Sequence, residues 1–334
     1  MKKRHYIIPI FVPMEGCPHQ CVFCNQDRIT GFKDIVTAET VRNIADEYLS
    51  TMNREDSLIE ISFFGGTFTA IREEKQRELL AVAKEYKDKG LIDKIRMSTR
   101  PDAINEYILS YLKDYKADII ELGVQSLDDN ILLSAGRGHS VEDVIKASKL
   151  IKEYGFVLGH QIMPGLPNDN FDLDMLTAKK SIELKPDIVR IYPALVIKDT
   201  PMEKMYNRGE YKPYTLEQAV EISKKLYKLY EDNNIQVIRI GLQPTDTIRE
   251  GGDVVAGPFH PAFRELVEGS IFADEIRSKL KNSKDGIVNI NPKDISMLYA
   301  NKKFYYNKLV DEGYSIKVKT YDDIERGKLI IEVN

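Results

Sequence analysis

Seven short apolar runs alternate with longer amphipathic segments, and this alternation limits the fold more than any other feature of the chain. "YIIPIFV" (6–12), "LIEISFF" (58–64), "IDKIRMST" (92–99), "DIIELGVQS" (118–126), "FVLGHQIM" (156–163), "DIVRIYPAL" (187–195) and "IQVIRIGL" (235–242) read as strands. Between them, 37–52, 73–90, 102–115, 170–184 and 215–233 carry helical spacing, with Thr37 as an N-cap and Gly90 as a stop. The segment 127–153 reads as helices interrupted by "GRGHS". Strand, crossover helix and strand in succession require a parallel sheet, so the chain is α/β. Periodicity does not choose between an open doubly wound sheet and a barrel. Unusual residues recur just after strand ends: the cysteines, Gly65-Gly66-Thr67, Arg100, Gln125-Ser126 and Tyr192. A barrel gathers such positions at one C-terminal mouth, whereas an open sheet spreads them along an edge.

Residues 251–281 begin with a glycine loop and continue as a helix; 290–313 reads as another helix, and 314–320 and 328–334 as a closing pair of strands. The expected division is a first domain at 1–245 and a small α+β domain at 246–334. A net charge of −4 lacks the positive excess of a general nucleic-acid binder but leaves room for a local basic patch. No apolar stretch is long enough for a membrane span. "MKKRHYIIPIFVP" opens like a signal peptide, yet Pro9 and Pro13 break its apolar run and no small-residue cleavage site follows; it reads as a first strand.

All three cysteines of the chain stand at Cys17, Cys21 and Cys24, a C-x3-C-x2-C pattern. Clustered thiols with no others to pair fit a reducing cytoplasm. A structural zinc site needs four ligands, and the extra candidate, His19, sits inside the loop between two cysteines. Three ordinary free thiols are the other bland reading. The functional reading is a 4Fe-4S cluster held by three thiolates, with one iron open to another ligand. Phe23, just before the last cysteine, supplies an apolar wall beside it.

This loop resembles the C-x3-C-x-aromatic-C signature of the radical S-adenosylmethionine (radical SAM) enzymes. The resemblance implies that the open iron binds the amino and carboxylate groups of S-adenosylmethionine. The cofactor is then cleaved to methionine and a 5′-deoxyadenosyl radical that takes hydrogen from a substrate. In that superfamily a "GGE"-like motif at the second strand end holds the methionine amino group; here it is Gly65-Gly66-Thr67, with threonine in place of glutamate. Contact to the ammonium is then expected from backbone carbonyls or the Thr67 hydroxyl. Arg100, Gln125, Ser126 and Arg137 are candidates for the ribose hydroxyls and the methionine carboxylate, the arginines suiting the latter. "GGTF", "STRPD", "LGVQS", "GRGHS", "MPGLPN" and "YPALVIKDT", in this order, resemble the radical domain of the Elongator catalytic subunit and its stand-alone bacterial relatives. The oxygen-independent coproporphyrinogen oxidase group is a more distant resemblance. The likeness covers roughly 6–245 and implies a partial (β/α)6 TIM-like barrel with the cofactor at its mouth. The Elongator subunit's acetyltransferase domain and basic RNA-binding segment are expected to be missing, so its acetyl-group transfer to tRNA uridine is not carried over.

Of the remaining motifs, either His160 or Gln161 should face the barrel interior, with His160 read as a core residue. Tyr192 reads as packing, Lys198 as a common post-strand lysine, His260 in "PFHPAF" as a helix entry, and the Lys-rich helix 215–233 as a solvated exterior. Three functions follow as expectations. The first is a radical enzyme acting on RNA or another macromolecule; the second acts on a porphyrin-like or metabolite small molecule; the third is a non-catalytic iron–sulfur protein. Either enzyme needs an external one-electron donor such as a flavodoxin or ferredoxin-like protein, because no second cluster motif is present.

Overall fold

The parallel pairing expected of the βα repeat is present through the first 240 residues of the structure, a computed structural model. It describes residues 4–12, 17, 19–25, 28, 35–245, 247–249 and 251–334; Gly16 and Pro18 of the cysteine loop lie outside them. The strands are β1 (Arg4–Val12), β2 (Ser57–Gly65), β3 (Lys94–Thr99), β4 (Ile119–Gln125), β5 (Val157–Ile162) and β6 (Ile188–Ile191). They lie side by side in chain order, and Gln236–Ile240 adds a seventh strand beyond β6. All pair in parallel, from Val12 beside Gly65 to Arg190 beside Arg239. The first and seventh strands do not pair with each other, so the sheet is a partial barrel. The helices between strands are α1 (Ala38–Thr51), α2 (Glu73–Asp88), α3 (Glu106–Asp114), α4 (Asp129–Ser134), α5 (Val141–Glu153) and α6 (Phe171–Glu183). Thr37 caps α1 in a reciprocal capping box with Thr40.

Strand alternation divides the sheet into two faces. Ile59, Ile61, Phe63, Ile95, Met97, Ile120, Leu122 and Leu158 join Leu79, Leu80, Leu109 and Ile151 of the helices in one core. The opposite, inner face carries charge: Glu60, Arg96, Glu121 and Arg190 are all buried there. Arg96 Nε lies 2.8 Å from Glu60, its other end pairs with Glu121, and Arg190 Nε donates to Glu121 at 2.7 Å. Burial pushes the Glu60 carboxyl up, but His5 and Arg96 outweigh it and hold the group below its ordinary range.

After β6 the expected strand stops at Ile191 instead of 195, since Pro193 cannot donate to a ladder. The chain forms β7 (Val196–Ile197), α7 (Pro201–Asn207), α8 (Leu216–Asp232), β8 (Gln236–Ile240) and β9 (Val254–Ala256), with β7 and β9 antiparallel. Helix α8 buries Val220, Ile222, Leu226 and Tyr230, as its spacing implies. Lys224 on this helix is not solvated: it is buried and pairs with Asp274 and Glu221.

The last segment departs from expectation in two ways. The two closing strands, β11 (Ser315–Thr320) and β12 (Leu329–Val333), do not pair with each other but flank β10 (Asp285–Ile290). The run "DGIVNI" is short and follows a lysine-rich stretch, which hid the central strand. The helix read over 290–313 is broken into α10 (Ile295–Leu298) and α11 (Ala300–Asp311), with Asn301, Lys302 and Lys303 at positive φ. Helix α9 (Phe263–Lys279) belongs to two cores: Phe263, Leu266 and Val267 enter the barrel core, while Phe272, Ala273 and Ile276 join β10 and β12. Among the described residues no helix is long and apolar enough to cross a membrane.

Candidate active site

A parallel sheet sends every strand's C-terminal end to one side, so the loops after β1 to β4 meet. The β1–β2 edge fixes the first contact. Gly66 N–H donates to Val12 O at 3.0 Å, and Gly65 has a φ of +112°. A Cβ on Gly65 would lie 2.5 Å from Val12 O, so this approach of the two backbones requires glycine. Gly65→Ala is therefore expected to lower stability by about 1–3 kcal/mol, through backbone strain and displacement of β1. Chemical denaturation measures this, and an unchanged midpoint would contradict it.

The cysteine loop rests on the segment after α4. Val22 N–H donates to Ala135 O at 3.0 Å, and the His19 ring lies so close over Gly138 that a Cβ there would come within 2.4 Å of it. Cys24 N–H donates to Cys21 O at 3.1 Å, closing a tight turn between these two ligand candidates. Cys17 Sγ is 3.2 Å from Thr67 Oγ1, and Arg137 Nη1 donates to Cys21 Sγ at 3.2 Å. The other arm of Arg137 donates to Gly123 O at 2.6 Å, fixing the guanidinium between β4 and the loop. Burial, then the Cys21 and Cys17 sulfurs, push the Cys24 thiol up to about 12, against the pull of Arg137. Cys24 thus feels the charge of the other two thiols. Yet among the described residues no three His, Cys, Asp or Glu groups are arranged to hold a single metal ion. Three soft thiolates beside a fixed cation suit an iron–sulfur cluster, and His19 is committed to packing on Gly138.

The other predicted residues divide into two groups. Thr67 and Arg137 touch the cysteines directly. Gln125, at φ +66°, lies at the β4 end, where Gln161 Nε2 approaches its Oε1 at 3.4 Å. Arg100 is buried and bound in a fork to Asp102, with both contacts at 2.9 Å, so its charge is already matched. Ser126 faces away: its hydroxyl meets Thr177 of α6 at 3.2 Å and accepts from Asp128 N–H at 3.3 Å. Phe23 packs with Val196, Met202, Tyr211 and Val255, so the β7–β9 ribbon walls the loop. Of the fifth-strand pair, Gln161 is the inward one. His160 lies between Ser148 (3.0 Å) and Ser181 (2.8 Å) in the helix layer, and burial pushes it down to about 3. Tyr192 accepts from Arg190 at 3.1 Å, Lys198 lies 3.5 Å from Asp253, and His260 Nδ1 accepts from Ala262 N–H at 3.1 Å at the entry to α9.

Three features of the site escaped the sequence reading. His139 is buried next to Gly138, on which His19 packs, and among the described residues its ring has no side-chain partner; burial, then Arg137 and Arg100, push it down to about 4. Asp253 and Asp199 grip Arg28 of the cysteine segment, Asp253 at 3.2 Å. The charged inner face of the sheet is the third.

The profile of the Radical SAM superfamily matches residues 11–177, half of the chain. The chain belongs to the radical SAM superfamily. Residues 186–272 match the Radical_SAM C-terminal domain. Membership in this superfamily implies a 4Fe-4S cluster and S-adenosylmethionine. Among relatives, a tRNA uridine(34) acetyltransferase of Methanocaldococcus jannaschii is 34% identical over 255 residues, 65% of this chain and 47% of that protein. An uncharacterized protein of the same organism is 33% identical over 233 residues, 66% of this chain and 70% of that one. The radical SAM chain described here thus spans about half the length of the tRNA uridine(34) acetyltransferases it matches. In fold, it is similar to the N-terminally truncated archaeal Elp3 of Methanocaldococcus infernus, with a TM-score of 0.63 and 24% identity over 82% of this chain and 64% of that one.

Proposed function

We propose that this chain is a radical SAM enzyme that acts on RNA, with its cluster on Cys17, Cys21 and Cys24. The observation that carries the reading is the meeting of three thiols, the Thr67 hydroxyl and the Arg137 guanidinium at the C-terminal ends of β1, β2 and β4. When bound, the cluster and S-adenosylmethionine supply an electron and a 5′-deoxyadenosyl radical for hydrogen abstraction. The protein's own part is positional. Arg137 offsets the thiolate charge at Cys21 and, through Gly123 O, ties the cysteine loop to the sheet. Gly65, whose φ of +112° lets β2 close on Val12, and Gly66 border the methionine end of the cofactor, and Thr67 orients Cys17. Gln125 lies at the mouth for the ribose. Arg100 and Ser126, already bonded to Asp102 and Thr177, support the loops that surround the cofactor and do not contact it directly.

The electron comes from an external flavodoxin or ferredoxin-like donor, since the three cysteines of the chain are all used by one cluster. RNA is favoured as substrate because relatives at 32–34% identity are named tRNA uridine(34) acetyltransferases. We also propose 246–334 as a C-terminal unit carried on the barrel through α9. The test is anaerobic reconstitution with iron and sulfide, reduction, and chromatography for 5′-deoxyadenosine. Product should form with S-adenosylmethionine and rise several-fold when unmodified tRNA is added. A reduced cluster that forms no 5′-deoxyadenosine would overturn the enzyme reading; formation indifferent to RNA would overturn the substrate.

A further inference from the structure

Among the described residues, one cation on the inner face of the sheet has no carboxylate partner. One register row crosses it: Gly123 on β4, Gln161 on β5, Arg190 on β6 and Arg239 on β8. Arg190 is engaged at all three nitrogens, donating to Glu121 at 2.7 and 3.2 Å and to the Tyr192 hydroxyl at 3.1 Å. Glu60 and Glu121 are engaged with Arg96 and Arg190, so the buried carboxylates and guanidiniums of this face balance without Arg239. Arg239 shares the face of Arg190, opposite Ile240, which packs in the barrel core. It is half-buried, and among the described residues it pairs with no carboxylate. Two guanidiniums on neighbouring strands repel, and partial burial of the unpaired one carries a desolvation cost. An anion entering the mouth removes both penalties.

The surroundings narrow the anion's chemistry. Just past Arg239 the chain lines a narrow hollow bounded by Leu195, Leu242, Pro258, Phe259 and His260, with room for about one water molecule. His260 Nδ1 accepts a backbone N–H, which leaves the proton on its other ring nitrogen as a donor. An unpaired guanidinium at the mouth, with a ring N–H close by, matches the oxygens of a phosphate. The row also sets the distance. Arg137 of the cysteine site holds Gly123 O, and three strand spacings separate Gly123 from Arg239, about 14 Å. That leaves room for a nucleoside and a reacting sugar or base between them.

We propose that Arg239 binds a phosphodiester of the RNA substrate. This rests on the RNA reading above. The test is fluorescence anisotropy of a transcribed tRNA with reconstituted protein across a salt series, comparing wild type, Arg239→Gln and Arg239→Lys. Arg239→Gln should weaken binding about tenfold and reduce the salt slope by about one contact. Arg239→Lys should recover part of the affinity, since a point charge replaces the planar fork. The change in cluster electron paramagnetic resonance (EPR) on adding S-adenosylmethionine should persist in both variants. Wild-type protein that binds no RNA would sink the RNA reading and this inference together. Wild-type binding with an unchanged Arg239→Gln affinity and slope would overturn this inference alone. So would loss of the S-adenosylmethionine response with RNA binding intact, because Arg239 would then serve the cofactor.

Discussion

Cys21→Ser is expected to leave a folded protein with iron content at background and no 5′-deoxyadenosine. Cys21 is the most enclosed of the three thiols, 6% exposed, and it alone bonds Arg137. A serine hydroxyl stays protonated where a thiolate is needed, so the ligand is lost although shape and polarity change little. The fold should tolerate the change. The loop hangs from the ends of β1 and α4 and supplies little to the barrel core, whose residues lie on the strands and helices. The circular dichroism spectrum should match wild type, and the melting temperature should shift by no more than a few degrees. Iron analysis and the EPR spectrum of the reduced protein decide the outcome. Cys17→Ser and Cys24→Ser should behave alike, since two thiolates and no fourth cysteine cannot complete the set. Full iron retention in any of the three variants would remove that cysteine from the ligands.

The barrel strands and the cysteine loop were legible in the sequence because both depend on local signals. Strand positions follow from apolar runs, and strand ends from the glycine and proline residues beside them. The cysteine spacing speaks for itself, and Thr67 and Arg137 follow strand ends in chain order. Ser126 was ambiguous in the sequence because a residue after a strand can point into the mouth or under it. The bulge at Gly123–Gln125 and the positive φ of Gln125 turn Ser126 toward Thr177. The charged inner face was present as a signal and went unread. "LIEISFF", "IDKIRMST", "DIIELGVQS", "DIVRIYPAL" and "IQVIRIGL" each carry a charged residue mid-strand, at Glu60, Arg96, Glu121, Arg190 and Arg239. Charges inside strands that must be buried demand partners, and only the strand order shows which partners meet. Asp253 was hidden for another reason: its significance depends on Arg28, more than two hundred residues away in sequence, and that of His139 on its burial beside Arg137 and Arg100, which no local pattern encodes. In the C-terminal segment, β10 was missed because a six-residue run has little periodicity of its own and becomes a strand by pairing on both sides.

Replacing Glu121 by leucine should cost about 3–5 kcal/mol, the largest stability loss expected of any single change in the sheet. Its carboxylate joins Arg96 on β3 to Arg190 on β6, and all three side chains are buried. Without it Arg190 keeps the Tyr192 hydroxyl and the Phe64 ring, 5.6 Å away, but has no carboxylate partner among the described residues, and Arg96 keeps Glu60. The loss arises less from the missing attraction than from a guanidinium left unpaired at low dielectric. That distinction can be measured. The double variant Glu121→Leu with Arg190→Leu removes the stranded cation as well, leaving the Glu60–Arg96 pair intact. It should recover at least half of the loss, although one more polar contact is gone. Urea denaturation of the wild type, both single variants and the double variant gives the coupling directly. A Glu121→Leu protein within about 1 kcal/mol of wild type would show that water reaches this face and screens it. A double variant no more stable than Glu121→Leu would show that side-chain shape, and not charge, holds the inner layer together. Because Arg190 lies next to Arg239 in register, the same network fixes the strand that presents the unpaired cation to the mouth.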